Sequence, residues 1–185
     1  PGVGKTRLVA EVAERLHRQG AMVLFGRCEE GLGVPYQPFA EALRHYVDHV
    51  DRPAIGRFGG DLHRLVPELP RQVAGLDPPL QSDPDTERQR LHEAVALWLA
   101  DASALDPVVL VLDDLHWATK PTLELLRHVL SSSHALRMLV VATYRDSDVG
   151  RSDPMADVLG DLLRTPGSAS IALGGLGPDG VQRFV

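Results

Sequence analysis

The sequence predicts an α/β fold with a parallel sheet, because short apolar runs alternate with longer segments of helical periodicity. Three apolar runs, at 22–26, 108–112 and 138–144, are the expected strands. The run 108–112 contains no polar residue, which is typical of a strand covered on both faces. A shorter run at 170–173 is expected to be a further strand.

Helical segments separate these runs in a regular order. The spacing of apolar residues predicts six of them: 6–18, 39–50, 61–74, 84–104, 120–130 and 155–163. The third is weaker, because Pro67 and Pro70 interrupt it. The fourth begins at Asp83-Pro84-Asp85, an acidic cap followed by proline and a further acid. Residues 30–38 are rich in glycine and proline, and 79–85 are polar, so we expect a loop and a linker.

The composition excludes several classes of protein. With 185 residues, of which 44% are hydrophobic, the chain suits one domain with a sizeable core. Its net charge of −6 argues against direct nucleic-acid binding by this chain. The single cysteine, Cys28, cannot form an internal disulfide. No apolar run reaches the ~20 residues needed to span a bilayer, and residues 1–20 do not have the pattern of a signal peptide, so we expect a cytoplasmic location without membrane contact.

The chain begins with a glycine-rich loop that matches the last six residues of the Walker A pattern G-x-x-x-x-G-K-[ST]. Gly2 and Gly4 allow backbone N–H groups to face phosphate without a Cβ clash. Lys5 can reach the β- and γ-phosphates, and the Thr6 hydroxyl can ligate Mg²⁺ at the positive end of a helix. The predicted nucleotide-binding residues are consecutive: Gly2, Val3, Gly4, Lys5, Thr6 and Arg7.

Two carboxylates directly follow the run 108–112 and form a Walker B segment. A carboxylate at the end of this strand lies beside the phosphate loop and holds Mg²⁺, directly or through water. Thr6 and Asp113 are therefore the predicted metal ligands. Asp114 is predicted to be catalytic, as the carboxylate that polarises the attacking water. A helix cap or a solvated turn is the usual explanation of an isolated Asp-Asp pair, but the strand and the upstream glycine loop favour Walker B.

A third polar group, Thr143-Tyr144-Arg145, ends the next apolar run. A polar residue and an arginine at this point can reach the γ-phosphate of ATP. Arg145 is the second predicted catalytic residue and would distinguish ATP from ADP, since only ATP offers a third phosphate to its guanidinium. The alternative is a surface ion pair between Arg145 and Asp146 or Asp148.

Other polar residues are weaker candidates. Glu41, His45 and His49 have metal-ligand spacing on one helical face, but such spacing on a solvated helix is common by chance. Trp117 is expected to pack after the acidic pair, while His116 could contact phosphate or a neighbouring subunit.

Together these motifs resemble the signal-transducing ATPases with numerous domains (STAND), a branch of the P-loop NTPases. More narrowly, they resemble the origin-recognition-like AAA module of large LuxR-type bacterial transcriptional regulators. The resemblance rests on Gly-Lys-Thr at 4–6, Asp-Asp-Leu-His-Trp-Ala at 113–118, Ala-Thr-Tyr-Arg-Asp at 142–146 and the loop 33–39.

The resemblance implies a three-layer P-loop NTPase sandwich that binds ATP and Mg²⁺ and acts as a nucleotide switch. ATP would hold an open, oligomer-competent state and ADP a closed one, so the implied partners are a second copy or other domains of the parent protein. Glutamate is usual in the wider family where this chain has Asp114, and the shorter side chain predicts slow hydrolysis.

The strand that normally precedes a Walker A loop has no residues to form it, because the chain starts at Pro1. We therefore expect a sheet that lacks this first strand. The runs 22–26, 108–113 and 138–144 should form one parallel array, with 170–173 separated from it by the width of a strand.

The expected domains are an N-terminally truncated ATPase core at 1–173 and the start of a truncated lid segment at 174–185. We expect such a fragment to be unstable by itself, since backbone groups beside the missing strand would lack partners. Two other functions remain open. A P-loop kinase or transferase of a small molecule would share the glycine loop, and a non-hydrolysing nucleotide-dependent interaction module would keep every binding residue without turnover.

Overall fold

The computed structural model describes residues 3–55, 58–132, 134, 136–146, 154–165 and 167–174. The helices in this part of the chain are α1 Lys5–Arg18, α2 Gln37–His49, α3 Gly59–Leu62, α4 Leu69–Gln72, α5 Pro84–Leu105, α6 Lys120–Ser131 and α7 Pro154–Arg164. The strands are β1 Met22–Arg27, β2 Val108–Asp113 and β3 Met138–Ala142. A 3₁₀ turn, Leu115–Trp117, follows β2.

The three strands form one parallel sheet in the order β1-β2-β3, which confirms the predicted α/β fold and parallel array. Leu110 of β2 pairs with Leu24 of β1 on one side and with Val140 of β3 on the other. Parallel strands place their carboxyl ends at one edge of the sheet. The residues that follow or end the strands, among them Arg27 and Asp113, therefore meet at that edge.

The main hydrophobic core lies between the sheet and the helices that follow β1. Alternate residues of β2, Leu110 and Leu112, are fully buried in it, together with Leu24 of β1. Helices α2 and α5 supply its largest side chains, Phe39, Tyr46, Trp98 and Leu99. Burial of this apolar surface is the dominant favourable term in holding the helices on the sheet.

Helix α2 approaches the sheet closely because Gly26 of β1 has no side chain. A Cβ atom at Gly26 would lie 1.9 Å from the carbonyl oxygen of Pro38, in the first turn of α2. Any larger residue at position 26 would therefore push the start of α2 away from β1 and disturb the end of the strand that leads to Arg27.

The other face of the sheet is covered less completely. Helix α1 contacts β1 and β2, yet none of its residues is buried. Phe25 of β1 is 44% exposed and Leu139 of β3 is 49% exposed, whereas all six residues of the central strand β2 are buried. The prediction of a strand covered on both faces thus holds for β2.

Two sequence-based expectations differ from the structure. The interrupted helical stretch expected at 61–74 is two short helices, α3 and α4; Pro67 lies between them, whereas Pro70 lies in the first turn of α4 and does not interrupt it. Residues 170–173 do not form the predicted strand, and Ile171 is 78% exposed. A strand requires a hydrogen-bonded neighbour, and in the described part of the chain β3 pairs only with β2.

No helix in the described residues is long and apolar enough to cross a membrane. Of the predicted lid segment at 174–185, the structure describes only Gly174, so residues 175–185 lie outside the described part of the chain.

Candidate functional site

The glycine loop leads directly into α1. Gly4 is the N-cap residue, with φ 88° and ψ 17°, a left-handed conformation that glycine adopts at no steric cost. Its carbonyl accepts the N–H of Leu8 at 2.9 Å, which closes the first turn of the helix. Lys5 and Thr6 therefore occupy this first turn, and Val3 precedes it, half-buried. Gly2 lies outside the described residues.

The two basic residues of the loop differ in their surroundings. Among the described residues, no carboxylate lies within ion-pair distance of the Lys5 ammonium. Arg7 instead pairs with Glu11, one turn further along α1, at 2.7 Å on the exposed surface of the helix. Lys5 thus has an ammonium available for an anion, while the Arg7 guanidinium is engaged on the helix surface.

Thr6 and Asp113 meet across the sheet edge although they are 107 positions apart in the sequence. The Thr6 hydroxyl donates to the Asp113 carboxylate, with distances of 3.2 Å to Oδ2 and 3.5 Å to Oδ1. Asp113 is the last residue of β2 and is 1% exposed. The two residues predicted as metal ligands therefore lie side by side.

The second carboxylate of the pair, that of Asp114, is not hydrogen-bonded to Thr6 but binds a different residue. Its backbone is left-handed, with φ 56° and ψ 43°, which turns the chain away from the strand direction. Its carboxylate accepts from Arg27 at the end of β1, at 2.8 Å from Nη2 and 3.2 Å from Nε. The hydrogen bond and the charge of Asp114 raise the pKa of the Arg27 guanidinium. His116 Nδ1 lies 4.0 Å from the Asp114 carboxylate, with a fully buried side chain.

The family described as AAA ATPase domain matches residues 1–141. The chain belongs to this family. The matched region runs from the glycine loop through β2 to the fourth residue of β3, so it contains the loop, both acids and the described sheet almost entirely. No curated protein and no solved structure matches the chain significantly. Membership in the AAA ATPase family indicates a nucleotide-binding ATPase module.

A cavity of about 280 Å³ opens at the carboxyl edge of the sheet in this AAA domain. Three of its lining side chains are acidic and two are basic. The lining residues are Arg27, Cys28, Glu29, Glu30, Asp114, Trp117 and Arg145. Arg145 thus lies at the same edge as the acids and shares the cavity with Asp114. The Cys28 thiol is 4% exposed, and its burial raises its pKa to about 12, so the thiol stays protonated at neutral pH.

Sequence reasoning about the AAA domain missed Arg27. The available signal was its position as a charged residue immediately after the apolar run 22–26. In a parallel sheet, that position lies at the same edge as the residues that follow the other strands. A charged residue directly after a buried strand is therefore worth testing as a site residue even where no motif contains it.

The histidines of α2 do not assemble into a metal centre. The rings of His45 and His49 lie 4.2 Å apart, and both residues are exposed. Within the described residues, no three His, Cys, Asp or Glu side chains form a group that could hold a metal ion. The contact between Thr6 and Asp113 accordingly offers a metal ion one hydroxyl and one carboxylate, and not a complete set of protein ligands.

Proposed function

We propose that this chain is the ATP-binding AAA module of a larger signalling protein, in which bound nucleotide acts as a switch and hydrolysis is slow. The observation that carries the proposal is the contact between the Thr6 hydroxyl and the Asp113 carboxylate. It joins the first helical turn behind the glycine loop to the acid at the end of the central strand.

The donor set at this contact fits Mg²⁺. Hydroxyl and carboxylate oxygens are hard ligands, and Mg²⁺ is usually held by one or two carboxylates together with substrate phosphates and water. Thr6 and Asp113 would hold the ion, and its chemistry there is to neutralise charge on the β- and γ-phosphates. Gly2, Val3 and Gly4 would supply backbone N–H groups to phosphate oxygens, and Lys5 its ammonium.

Asp114 and Arg145 would serve the third phosphate. The Asp114 carboxylate would accept a proton from the attacking water, and the Arg145 guanidinium would bind γ-phosphate oxygens. Both side chains line the same cavity at the ends of the strands, which supports this arrangement. Arg7 would contribute through its backbone at the helix N-terminus rather than through its engaged side chain.

The narrower proposal is a STAND-type module of the kind found in LuxR-type regulators. The resemblance of the loop 33–39 and of residues 113–118 supports it. The proposed partners are a second copy of the module or other domains of the parent protein in the cytoplasm, without nucleic-acid or membrane contact by this chain.

The ion pair between Arg27 and Asp114 favours a second candidate, a nucleotide-dependent interaction module without turnover. The Asp114 Oδ2 atom accepts two hydrogen bonds from the Arg27 guanidinium, so this oxygen is not available to the attacking water. The rate of ATP hydrolysis under saturating ATP and Mg²⁺ separates the two candidates.

Titration of the intact protein with a fluorescent ATP analogue tests nucleotide binding. Lys5→Ala should abolish binding, since the phosphates lose their main cation. Lys120→Ala is the matched control, because Lys120 is exposed and pairs with Glu124 at 3.7 Å on the surface of α6. Equal affinity of the wild-type protein and the Lys5→Ala variant would overturn the proposed site.

A further inference from the structure

Thr143 follows the last residue of β3 and bonds to four consecutive residues at the end of β2. Its N–H donates to the carbonyl of Leu112 at 3.0 Å, and its carbonyl accepts the N–H of Leu115 at 2.8 Å. Between these two bonds, its hydroxyl donates to Asp113 Oδ1 at 2.5 Å and accepts the N–H of Asp114 at 3.0 Å. One residue therefore holds both acids and the residues on either side of them.

The single proton of the Thr143 hydroxyl is committed to one of these bonds. A threonine hydroxyl has one proton to donate, and here that proton goes to the Asp113 carboxylate. The residue is 5% exposed. While these bonds persist, Thr143 has no proton for a phosphate oxygen, which argues against the expectation that the polar residue before Arg145 contacts the γ-phosphate.

The bond to the Asp114 N–H acts on a strained part of the backbone. Asp114 has φ 56°, a left-handed conformation that is uncommon outside glycine, although aspartate adopts it more often than most residues do. Such a conformation persists only where its surroundings hold it in place. The Thr143 hydroxyl accepts the N–H of Asp114, and the Thr143 carbonyl accepts the N–H of Leu115. These two bonds fix the peptide groups on both sides of Asp114.

We infer that Thr143 is a positioning residue. It fixes the Asp113 carboxylate beside Thr6, and it maintains the backbone turn that directs the Asp114 carboxylate towards Arg27. The inference rests on the proposed function, because the orientation of the acids matters only if they serve nucleotide and metal binding. The hydroxyl acts through Asp113 and Asp114, and touches neither nucleotide nor metal.

Three variants of the intact protein test the role of the hydroxyl. Thr143→Val removes it while keeping the shape of the side chain, and Thr143→Ser keeps it while removing the methyl group. Thr122→Val is the matched control. Thr122 is 1% exposed, and its hydroxyl accepts the N–H of Tyr36 at 2.8 Å, so this variant loses a comparable buried bond away from the acids.

The first measurement needs no nucleotide. Amide hydrogen exchange at Asp114 should become faster in Thr143→Val, because its N–H loses its acceptor, and should stay at the wild-type rate in Thr143→Ser. In Thr122→Val the exchange at Asp114 should not change, while the amide of Tyr36 should exchange faster.

The second measurement is the Mg²⁺ concentration that gives half-maximal binding of ATP. Residues that orient a metal ligand typically change metal affinity by about 10-fold or more, so Thr143→Val should raise this concentration by that factor. ATP binding in EDTA should remain at the wild-type level. Thr143→Ser and Thr122→Val should both keep the wild-type Mg²⁺ requirement.

An unchanged Mg²⁺ requirement in Thr143→Val would overturn the inference, as would an equal rise in Thr122→Val or in Thr143→Ser. If Thr143→Val does not fold, Thr143→Ala provides the same comparison. A wild-type protein that shows no Mg²⁺-dependent ATP binding would overturn the proposed function itself, and this outcome is distinct from a failure of the variants.

Discussion

The guanidinium of Arg27 holds the carboxylate of Asp114 across the ends of β1 and β2, with Nη2 and Nε both within 3.2 Å of the same oxygen, Oδ2. The Arg27 side chain is 55% exposed and that of Asp114 is 14% exposed. The acid proposed to polarise water is therefore paired with a cation, and both residues line the same cavity.

Arg27→Ala should raise the rate of ATP hydrolysis at saturating ATP, because the Asp114 oxygen that accepts both Arg27 bonds becomes free to accept from the attacking water. A half-exposed ion pair contributes up to ~1 kcal/mol, so we expect an increase of about fivefold. Steady-state phosphate release measures it. Arg18→Ala is the control, since Arg18 pairs with Glu14 on the exposed surface of α1 at 3.4 Å. A fall in the rate would instead indicate that Arg27 orients Asp114 for catalysis.

Asp113→Asn and Asp114→Asn should separate the two acids by role. Asp113→Asn should weaken Mg²⁺-dependent ATP affinity, because a buried metal ligand loses its charge. Asp114→Asn should leave the affinity nearly intact and lower the turnover. Isothermal titration with ATP, with and without Mg²⁺, combined with a hydrolysis assay, measures both effects. Equal losses of affinity in the two variants would contradict the division.

Arg145→Ala should narrow the difference between the affinities for ATP and ADP, because the arginine is proposed to bind only the third phosphate. A hydrogen bond to a charged group contributes ~1.5–3 kcal/mol, which sets the expected loss for ATP. Competition titration with both nucleotides measures it. Arg88→Ala, which removes an exposed arginine paired with Asp85 at 2.9 Å, should change neither affinity. If the variant loses as much affinity for ADP as for ATP, Arg145 does not bind the γ-phosphate.

The stability of the domain should fall on acidification through the titration of His92. Burial lowers the pKa of His92 to about 4, with a smaller contribution in the same direction from His128. The unfolded chain therefore binds the proton first, at the ordinary pKa of ~6.5, so the contribution of neutral His92 is complete above that pH. It is lost progressively as the pH falls from ~6.5 towards 4.

Removal of the titrating group tests this assignment. His92 is 8% exposed and its ring packs edge-on against Tyr36, so His92→Phe keeps an aromatic ring at the same place. The free energy of unfolding of this variant should depend less on pH between ~6.5 and 4 than that of the wild type. Gln19→Ala, at an exposed position with no titrating group, should keep the wild-type slope. A variant with an unchanged pH dependence would assign the acid sensitivity to other groups.

Local pattern was sufficient for the three strands, for the long helices and for the position of the Asp-Asp pair at the end of β2. The strands, the long helices and the acid at the end of β2 follow from hydropathy period, capping and the glycine loop, all of which are properties of neighbouring residues. The juxtaposition of Thr6 and Asp113 also followed, because a loop before a helix and the end of a parallel strand meet at one edge of the sheet.

Only the tertiary structure decided what the side chains at that edge bind. Arg27 and Asp114 are 87 positions apart in the sequence, and Asp114 and Thr143 are 29 positions apart. Their contacts depend on the register between the strands that these residues end or follow. The apolar run 170–173 is the opposite case. Its composition favours a strand, but no described strand forms backbone hydrogen bonds with it. Hydropathy period is a property of neighbouring residues, whereas hydrogen-bond partners come from distant parts of the chain. The sequence by itself therefore determined the three strands and the long helices, and the tertiary structure determined their contacts.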